Sequence, residues 1–381
     1  MYQASTAFHN AVASGAHQIP LLIFEDAVFT NADINVSDGI EFNDYFNTEE
    51  DLSIGQALSN EISFTLFNDF GLLNDYEFGD FTATIGAMIG AETYTVDGTV
   101  QAASDSHTWV AYSSSPYLKR DDTAVSSQPT SPVISMLIYK DIVYCLLQNG
   151  TAKCYKDSTG TYQNSIDVND FMLAQMRKWA GKGVFYKDRI LNIWERGLLR
   201  TYEFVPLGCF TAERPNVPSV IEIHFTCYDY MQKFEKDMPT AAELGISYPI
   251  TIGGLLEAMC NYVGVEYRSS SFINSTAVLT KHIEEFDNVT MRDVISWIAE
   301  AACSNARFDR DGYLIMDWIH STNQSLNESN YSEFNPYWYE TKRVTDLCNR
   351  ASNGEYDVRV GSGGDEVYLI QDNPLLKGVT Q

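Results

Sequence analysis

The first hundred residues repeat one device, a short apolar or period-two run closed by a turn cluster. Leu21-Leu-Ile-Phe-Glu25 is a brief apolar run, and Glu61-Ile-Ser-Phe-Thr-Leu-Phe67 alternates apolar with polar positions. Phe81-Thr-Ala-Thr-Ile-Gly-Ala-Met-Ile-Gly90 continues the habit, and Ser37-Asp-Gly39 and Asn74-Asp75 punctuate the runs. Successive side chains of a strand point to opposite faces, so such runs bury one face and wet the other. Several of them at this spacing favour a sandwich or small barrel.

The same region is one-sided in charge. Between Met1 and Leu118 there is no lysine or arginine, against 17 aspartates and glutamates, and the whole chain carries 51 acidic and 25 basic residues. Such a surface cannot neutralise phosphates and so cannot hold a nucleic acid by counterion release. It suits a highly soluble acidic domain or a wall that DNA slides past. At 381 residues, 45% hydrophobic and 13% aromatic, the chain can bury two or three cores and is not an acidic disordered polymer. It shows no apolar run long enough to span a membrane and no signal-peptide pattern at its start. Seven scattered cysteines (Cys145, Cys154, Cys209, Cys227, Cys260, Cys303, Cys348) form no C-x-x-C pair and read as buried thiols in a reducing compartment.

From about 101 to 131 serine, threonine, aspartate and proline take over, ending in Ser126-Ser-Gln-Pro-Thr-Ser-Pro132, which reads as a loop or linker. Next come Val133-Ile-Ser-Met-Leu-Ile-Tyr139, Ile142-Val-Tyr-Cys-Leu-Leu147 and Thr151-Ala-Lys-Cys-Tyr155, with Asn149-Gly150 as a strong hairpin signal. Residues 171–200 then invert the charge. Arg177, Lys178, Lys182, Lys187, Arg189, Arg196 and Arg200 stand against Asp188 and Glu195 alone, with a helix expected over 170–180. This island is either a solvated face or a contact with an acidic neighbouring subunit or protein.

Strand patterning returns at Tyr202. In Val220-Ile-Glu-Ile-His-Phe-Thr-Cys227 the residues Ile221, Ile223, Phe225 and Cys227 are expected on one face, Glu222, His224 and Thr226 on the other. Two helices follow. One opens on Thr251 and stops at Gly264; the other opens on Thr290 with Asp293 at the third position, and Val294, Trp297, Ile298 and Ala301 form its apolar stripe. It runs into two strands around Asp309-Arg-Asp-Gly312.

No metalloprotease, nucleophile-elbow, Walker or dinucleotide motif occurs. The six histidines are isolated. Asp309-Arg-Asp311-Gly312 starts like a calcium loop but lacks the later ligands, so a hairpin turn explains it better. Glu284 and Glu285 are neighbours of the sort that 51 acids produce by chance. No catalytic residue, cofactor or metal is expected, and the chain reads as a non-enzyme.

The stretch from Tyr202 to Trp318 resembles the central tail-hub proteins of bacteriophages and contractile injection machines. The residues that carry the resemblance are Leu207-Gly208-Cys-Phe210, Ile221 to Asp229 with Met231, and Leu255-Leu-Glu-Ala-Met-Cys260 to Gly264-Val265. They continue with Thr290-Met-Arg292-Asp293-Val, Ile298-Ala-Glu300 and Arg310-Asp311-Gly312-Tyr-Leu314, while Leu52-Ser-Ile-Gly55 resembles the family's first barrel. The resemblance implies a β-rich α+β subunit with two antiparallel tail-tube-like β-barrels. On that pattern residues 1–100 form the first barrel, 101–200 an inserted α/β segment, 201–238 with 306–381 the second barrel, and 239–305 a helical insertion.

It also implies a virion protein of the tail tip or baseplate. Three copies would make a pseudo-sixfold ring joining the tail tube or distal tail protein and tape measure protein to a spike or fibre. DNA would pass its lumen without specific binding. The hub of a phage-tail-like bacteriocin or injection system is the nearest alternative. A glycan-binding or glycan-degrading tip protein, suggested by the many aromatics, is an alternative of another class.

Overall fold

The computed structural model describes residues 4–317 apart from 26, 36, 38, 46–53, 69, 70, 72, 75, 164–178, 214–220, 269, 270, 281 and 284–287, and also 346–350, 356–361, 367–370 and 373–375. With 43% strand against 15% helix, the protein is β-rich α+β. It divides into two compact units, Met1–Phe42 with Ile62–Cys227, and Asn43–Glu61 with Tyr228–Gln381.

In the first unit a helix, α1 (Thr6–Ala13), is capped by Ser5, whose hydroxyl accepts from the Phe8 N–H. Five strands follow: β1 (Gln18–Phe24), β2 (Val28–Thr30), β3 (Ile40–Asn43), β4 (Glu61–Phe67) and β5 (Asp80–Thr93). Next are the short β6 (Val100–Ala103), β7 (Thr108–Ala111), β8 (Leu118–Arg120) and β9 (Thr123–Ala124). Then come β10 (Val133–Tyr139), β11 (Ile142–Leu147), β12 (Ala152–Lys156), β13 (Lys182–Lys187) and β14 (Ile190–Glu195). The long β15 (Leu198–Thr211) and β16 (Glu222–Asp229) close the unit.

A curled twelve-stranded sheet runs β12-β11-β10-β13-β14-β15-β16-β4-β3, with β5 also on β15, β1 on β5 and β2 on β1. One step in it is parallel. β10 pairs β13 with Met136 opposite Gly183 and Ile138 opposite Phe185. The hairpins around it turn on Lys140-Asp141 and Asp188-Arg189, all with positive φ, the conformation of two-residue turns that match strand twist. At Asn149-Gly150 the turn is one residue longer. Leu147 and Thr151 close it, and only Gly150 has positive φ.

The 101–131 stretch expected as a linker is instead a four-stranded sheet, β6-β7-β8-β9. Its strands are too short to show a period, and a fully buried Trp109 anchors it by donating from Nε1 to Asp157 Oδ1 at 2.6 Å. In β16, Ile223, Phe225 and Cys227 are buried as expected, but Ile221 precedes the strand and is 68% exposed. The helix expected over 170–180 falls largely outside the described residues. Leu207-Gly208-Cys-Phe210 has a packing reason: the Phe210 ring lies where a Cβ on Gly208 would stand, 2.9 Å away, and is itself fully buried beside Phe81 and Phe42.

The second unit holds α2 (Ala241–Leu244), β17 (Ile250–Thr251), α3 (Ile252–Val263), β18 (Val278–Leu279) and α4 (Met291–Ala301). They are followed by β19 (Asn305–Phe308), β20 (Leu314–Asp317), β21 (Asp346–Arg350), β22 (Tyr356–Gly361) and β23 (Val367–Ile370). Thr251 caps α3 on the Gly254 N–H, and Gly264 stops it in the left-handed region. Thr290 and Asp293 form a complete capping box on α4, whose Val294, Ile298 and Ala301 are buried and whose Trp297 is half-buried.

Leu255, Leu256 and Met259 of α3 meet Val294, Ile295 and Ile298 of α4, with Phe308 of β19, in one core. Each such side chain contributes roughly 1.5–3 kcal/mol by leaving water. The helices and the hairpin after them thus share a core, and β15 and β16 belong to the first unit. The compact units therefore cut across the boundaries read from the sequence, because β15 finds its longest partner in β5, register Leu198 on Thr93 to Thr211 on Asp80.

Candidate functional site

Three polar residues of the hub resemblance, Asp229, Arg292 and Glu300, meet one short segment of the second unit, residues 55–60. This segment lies parallel to β19: Leu58 N–H donates to Ala306 C=O, Ala306 N–H to Gln56 C=O, and Gln56 N–H to Asn305 Oδ1. Arg292, in the first turn of α4, donates from Nε and Nη2 to the Ala57 carbonyl at 3.1 and 2.8 Å, and pairs through Nη1 with Glu235. Asp229 accepts from Asn60 N–H at 2.8 Å, Ser59 Oγ at 3.0 Å and Met231 N–H at 3.0 Å. Glu300, at the far end of α4, accepts from Asn373 Nδ2 at 2.8 Å.

Gly55 sits against Glu300 with φ +82, where a Cβ would come 2.7 Å from the glutamate's own Cβ. Asp229 is 2% exposed, and burial pushes its carboxyl up to about 6 against the pull of its three donors and Arg292. Burial also raises Glu300 above the ordinary carboxylate range, with Asn373 opposing. Two acids with raised pKa usually suggest proton transfer. Here each oxygen of Asp229 faces backbone or hydroxyl donors that hold the chain, so the arrangement is a clamp.

The turn Asp309–Gly312 is likewise structural. Asp309 Oδ1 accepts from the N–H groups of Asp311 and Tyr313 at 3.0 Å, and Arg268 pairs with Asp309 and Asp311. Its carboxylates are spent on the turn. Arg310 lies beside them in the turn, and Gly312 closes it with φ +85. Among the described residues no group of three histidine, cysteine, aspartate or glutamate side chains could hold a metal. Burial pushes the thiols of Cys227 and Cys260 up to about 12 and of Cys154 and Cys303 to about 11, so they stay protonated at neutral pH.

The basic island is dispersed. Arg177 and Lys178 lie outside the described residues. Lys182 and Lys187 begin and end β13, roughly 16 Å apart at strand rise. Lys182 pairs with Glu195 at 3.8 Å, and Lys187 pairs with Asp105 and lies 3.9 Å from Asp188. Arg200 bonds Glu195 at 3.1 Å. Arg189 occupies a hairpin turn, and Arg196, also in a turn, makes no ion pair among the described residues.

Sequence reasoning missed a pocket of about 120 Å³ in the first unit. Its walls include Phe24, Val28, Leu137, Tyr139, Tyr144, Trp179 and Tyr186, with Glu25 the one carboxylate among its described lining residues. The parallel β10–β13 step builds it, by setting the Tyr139 and Tyr186 rings 6.2 Å apart. Burial holds the Tyr144 phenol above its usual range and pushes Tyr186 up to about 12, so both keep their protons. A signal was present: Tyr-Lys-Asp occurs at 139–141, 155–157 and 186–188, each at the end of a strand. Two copies brought parallel juxtapose their tyrosines.

No protein-family model matches the chain, and no curated protein matches it. Among solved structures it is similar to the computationally designed Ika8 protein, with 11% identity and a TM-score of 0.18 over 38% of this chain and 42% of that one. It is also similar to the designed Ika4 protein, with 13% identity and a TM-score of 0.17 over 42% of this chain and 98% of that one. The chain thus matches less than half the length of Ika8, and likenesses this slight carry no argument. No helix among the described residues is long and apolar enough to cross a membrane.

Proposed function

We propose that this chain is a structural hub of a phage tail tip or baseplate. Three copies form a pseudo-sixfold ring that joins the tail tube to the tip and lets DNA pass during ejection. One observation carries the reading. The motif residues that resemble the hub family fall in its order along the chain, and Gly55, Asp229, Arg292 and Glu300 serve a single scaffold around residues 55–60. A role in holding a frame, with Asp229 and Arg292 bonded to the backbone of residues 57–60 and Glu300 to Asn373, is what a subunit of a load-bearing ring requires.

In this reading the curled sheet of the first unit supplies one tube-like barrel wall, and the strands after residue 345 contribute to the second. The acidic first 118 residues supply a lumen that repels phosphates. The partners are further copies of the chain, the tail tube or distal tail protein, the tape measure protein and a spike or fibre.

Light scattering tests this directly. The expected result is a trimer, alone or on mixing with the tube or tip protein. A stable monomer under both conditions that is retained by or hydrolyses a glycan column would overturn it in favour of a tip protein. Within a trimer, glutamate at Lys182 and Arg189 should weaken assembly at low salt if the island contacts an acidic neighbour. Unchanged assembly would make it a solvated face.

A further inference from the structure

The pocket of the first unit lies beside a strand edge with an open rung. Phe24 N–H donates to Ala27 C=O, so Phe24 and Ala27 are a hydrogen-bonded pair across the β1–β2 turn. Alternation along the antiparallel ladder then makes Leu22 and Phe29 the next such pair and turns the N–H and C=O of Val28 away from β1. Thr30, the other outward residue of β2, is already occupied: its N–H donates to Asp33 Oδ2, and its carbonyl accepts from Asp33 and Ile34. Among the described residues no strand pairs with β2 on that side.

Val28 also lines the pocket, with the rings of Tyr139, Tyr144, Trp179 and Tyr186 and the exposed Glu25. The phenol oxygens of the three tyrosines make no hydrogen bond among the described residues. The lining therefore offers ring faces, three oxygen acceptors and one carboxylate, but no cation of its own. Two of these rings already attract cations from outside the pocket, with Lys182 over Trp179 and Lys140 over Tyr139.

We propose that this pocket receives an arginine side chain carried on an extended segment of a partner protein that adds to the edge of β2. An open backbone rung next to a side-chain pocket is the arrangement by which a sheet edge recognises a strand: main-chain bonds hold it and the pocket selects the residue. Arginine fits this lining better than an aliphatic residue. Its stem covers the Leu137 and Val28 walls, its plane stacks on aromatic faces, and its N–H groups reach phenol oxygens and the Glu25 carboxylate. Lysine would offer a compact, strongly hydrated charge without the planar fork.

The test uses the full chain and blocked valine-threonine pentapeptides differing only at the central position, followed by amide and indole chemical-shift titration. The arginine peptide should shift the Val28 amide and the Trp179 indole saturably. The citrulline peptide, equal in shape but uncharged, should bind roughly five-fold more weakly, the value of one partly exposed cation contact. Glu25→Gln, an exposed change whose fold is checked by circular dichroism, should narrow that gap without closing it, because the contacts with the ring faces remain.

N-methylation of the peptide's central amide should abolish the Val28 shift, and no protein variant is needed for that arm. Equal affinity for arginine, citrulline and norleucine peptides, or no saturable shift, overturns the arginine assignment. An N-methylated peptide that binds as well as its parent overturns the sheet-edge part. Trimer formation is read separately, so failure here leaves the hub reading untouched.

Discussion

Asp229→Asn is the perturbation whose consequence can be worked furthest. In the folded chain the carboxyl is pushed up to about 6, while its ordinary value is 3.8. A folded-state pKa above the unfolded one means that the native state binds the proton more tightly. The stability this contributes is therefore fully present below 3.8 and is lost as pH rises through 6. Integrating the two titrations from about pH 4.5 to about pH 7.5 gives a loss of about 2 kcal/mol from this one group. Asparagine cannot titrate, so the variant lacks that slope.

The variant has its own pH-independent cost. One face of the amide now presents N–H₂ to the Asn60 or Met231 N–H, leaving a buried donor unmet at about 1–3 kcal/mol. The assay is native-state hydrogen exchange of α4, corrected for intrinsic rates, in wild type and variant at both pH values. Exchange in α4 reports opening of the second unit by itself, which avoids treating a two-unit chain as two-state. The other acids titrate in both proteins and cancel in the difference. The stability gap between wild type and variant should favour wild type by about 2 kcal/mol more at the lower pH. A gap that is constant to within about 0.5 kcal/mol would refute the claim that burial dominates at Asp229.

Gly55→Ala should destabilise the second unit by roughly 1–3 kcal/mol, since it combines a left-handed backbone with a Cβ driven into Glu300; urea denaturation followed by α4 exchange checks it. Thr290→Ala removes the capping box of α4 and should cost about 1 kcal/mol in the same assay, with Thr290→Ser restoring most of it. Trp109→Phe replaces the buried indole by a smaller ring and leaves buried Asp157 short of a donor, so the first unit should lose roughly 1–3 kcal/mol from the unmet carboxylate alone in urea melts. On the hub reading, light scattering should return the same oligomer for Gly55→Ala below its unfolding midpoint as for wild type, because Gly55 packs on Glu300 within one subunit.

How much was legible in the sequence can be judged element by element. β4 and β16 were readable because a half-buried strand writes its period into five or six consecutive residues. Both long helices were readable because their ends are set by neighbours three residues away: Thr251 on Gly254, and Thr290 with Asp293. The sheet over 100–124 was not readable, since strands of two to four residues show no period and depend on distant partners such as Asp157 for Trp109. Ile221 was misplaced because alternation says which face a residue would take, not where the strand begins.

The sequence by itself determined the β-rich class, the limits of α3 and α4, the turns at Asn149-Gly150 and Asp309–Gly312, and the acidic first third. Each rests on interactions within a few residues, or on composition alone. Only the tertiary structure decided that β15 lies on β5, that β10 and β13 run parallel, and that residues 55–60 sit under Arg292 and Asp229. Those choices depend on which buried surfaces fit one another across gaps of about 50 to more than 200 residues, where closure entropy grows only slowly with loop length and packing selects the partner.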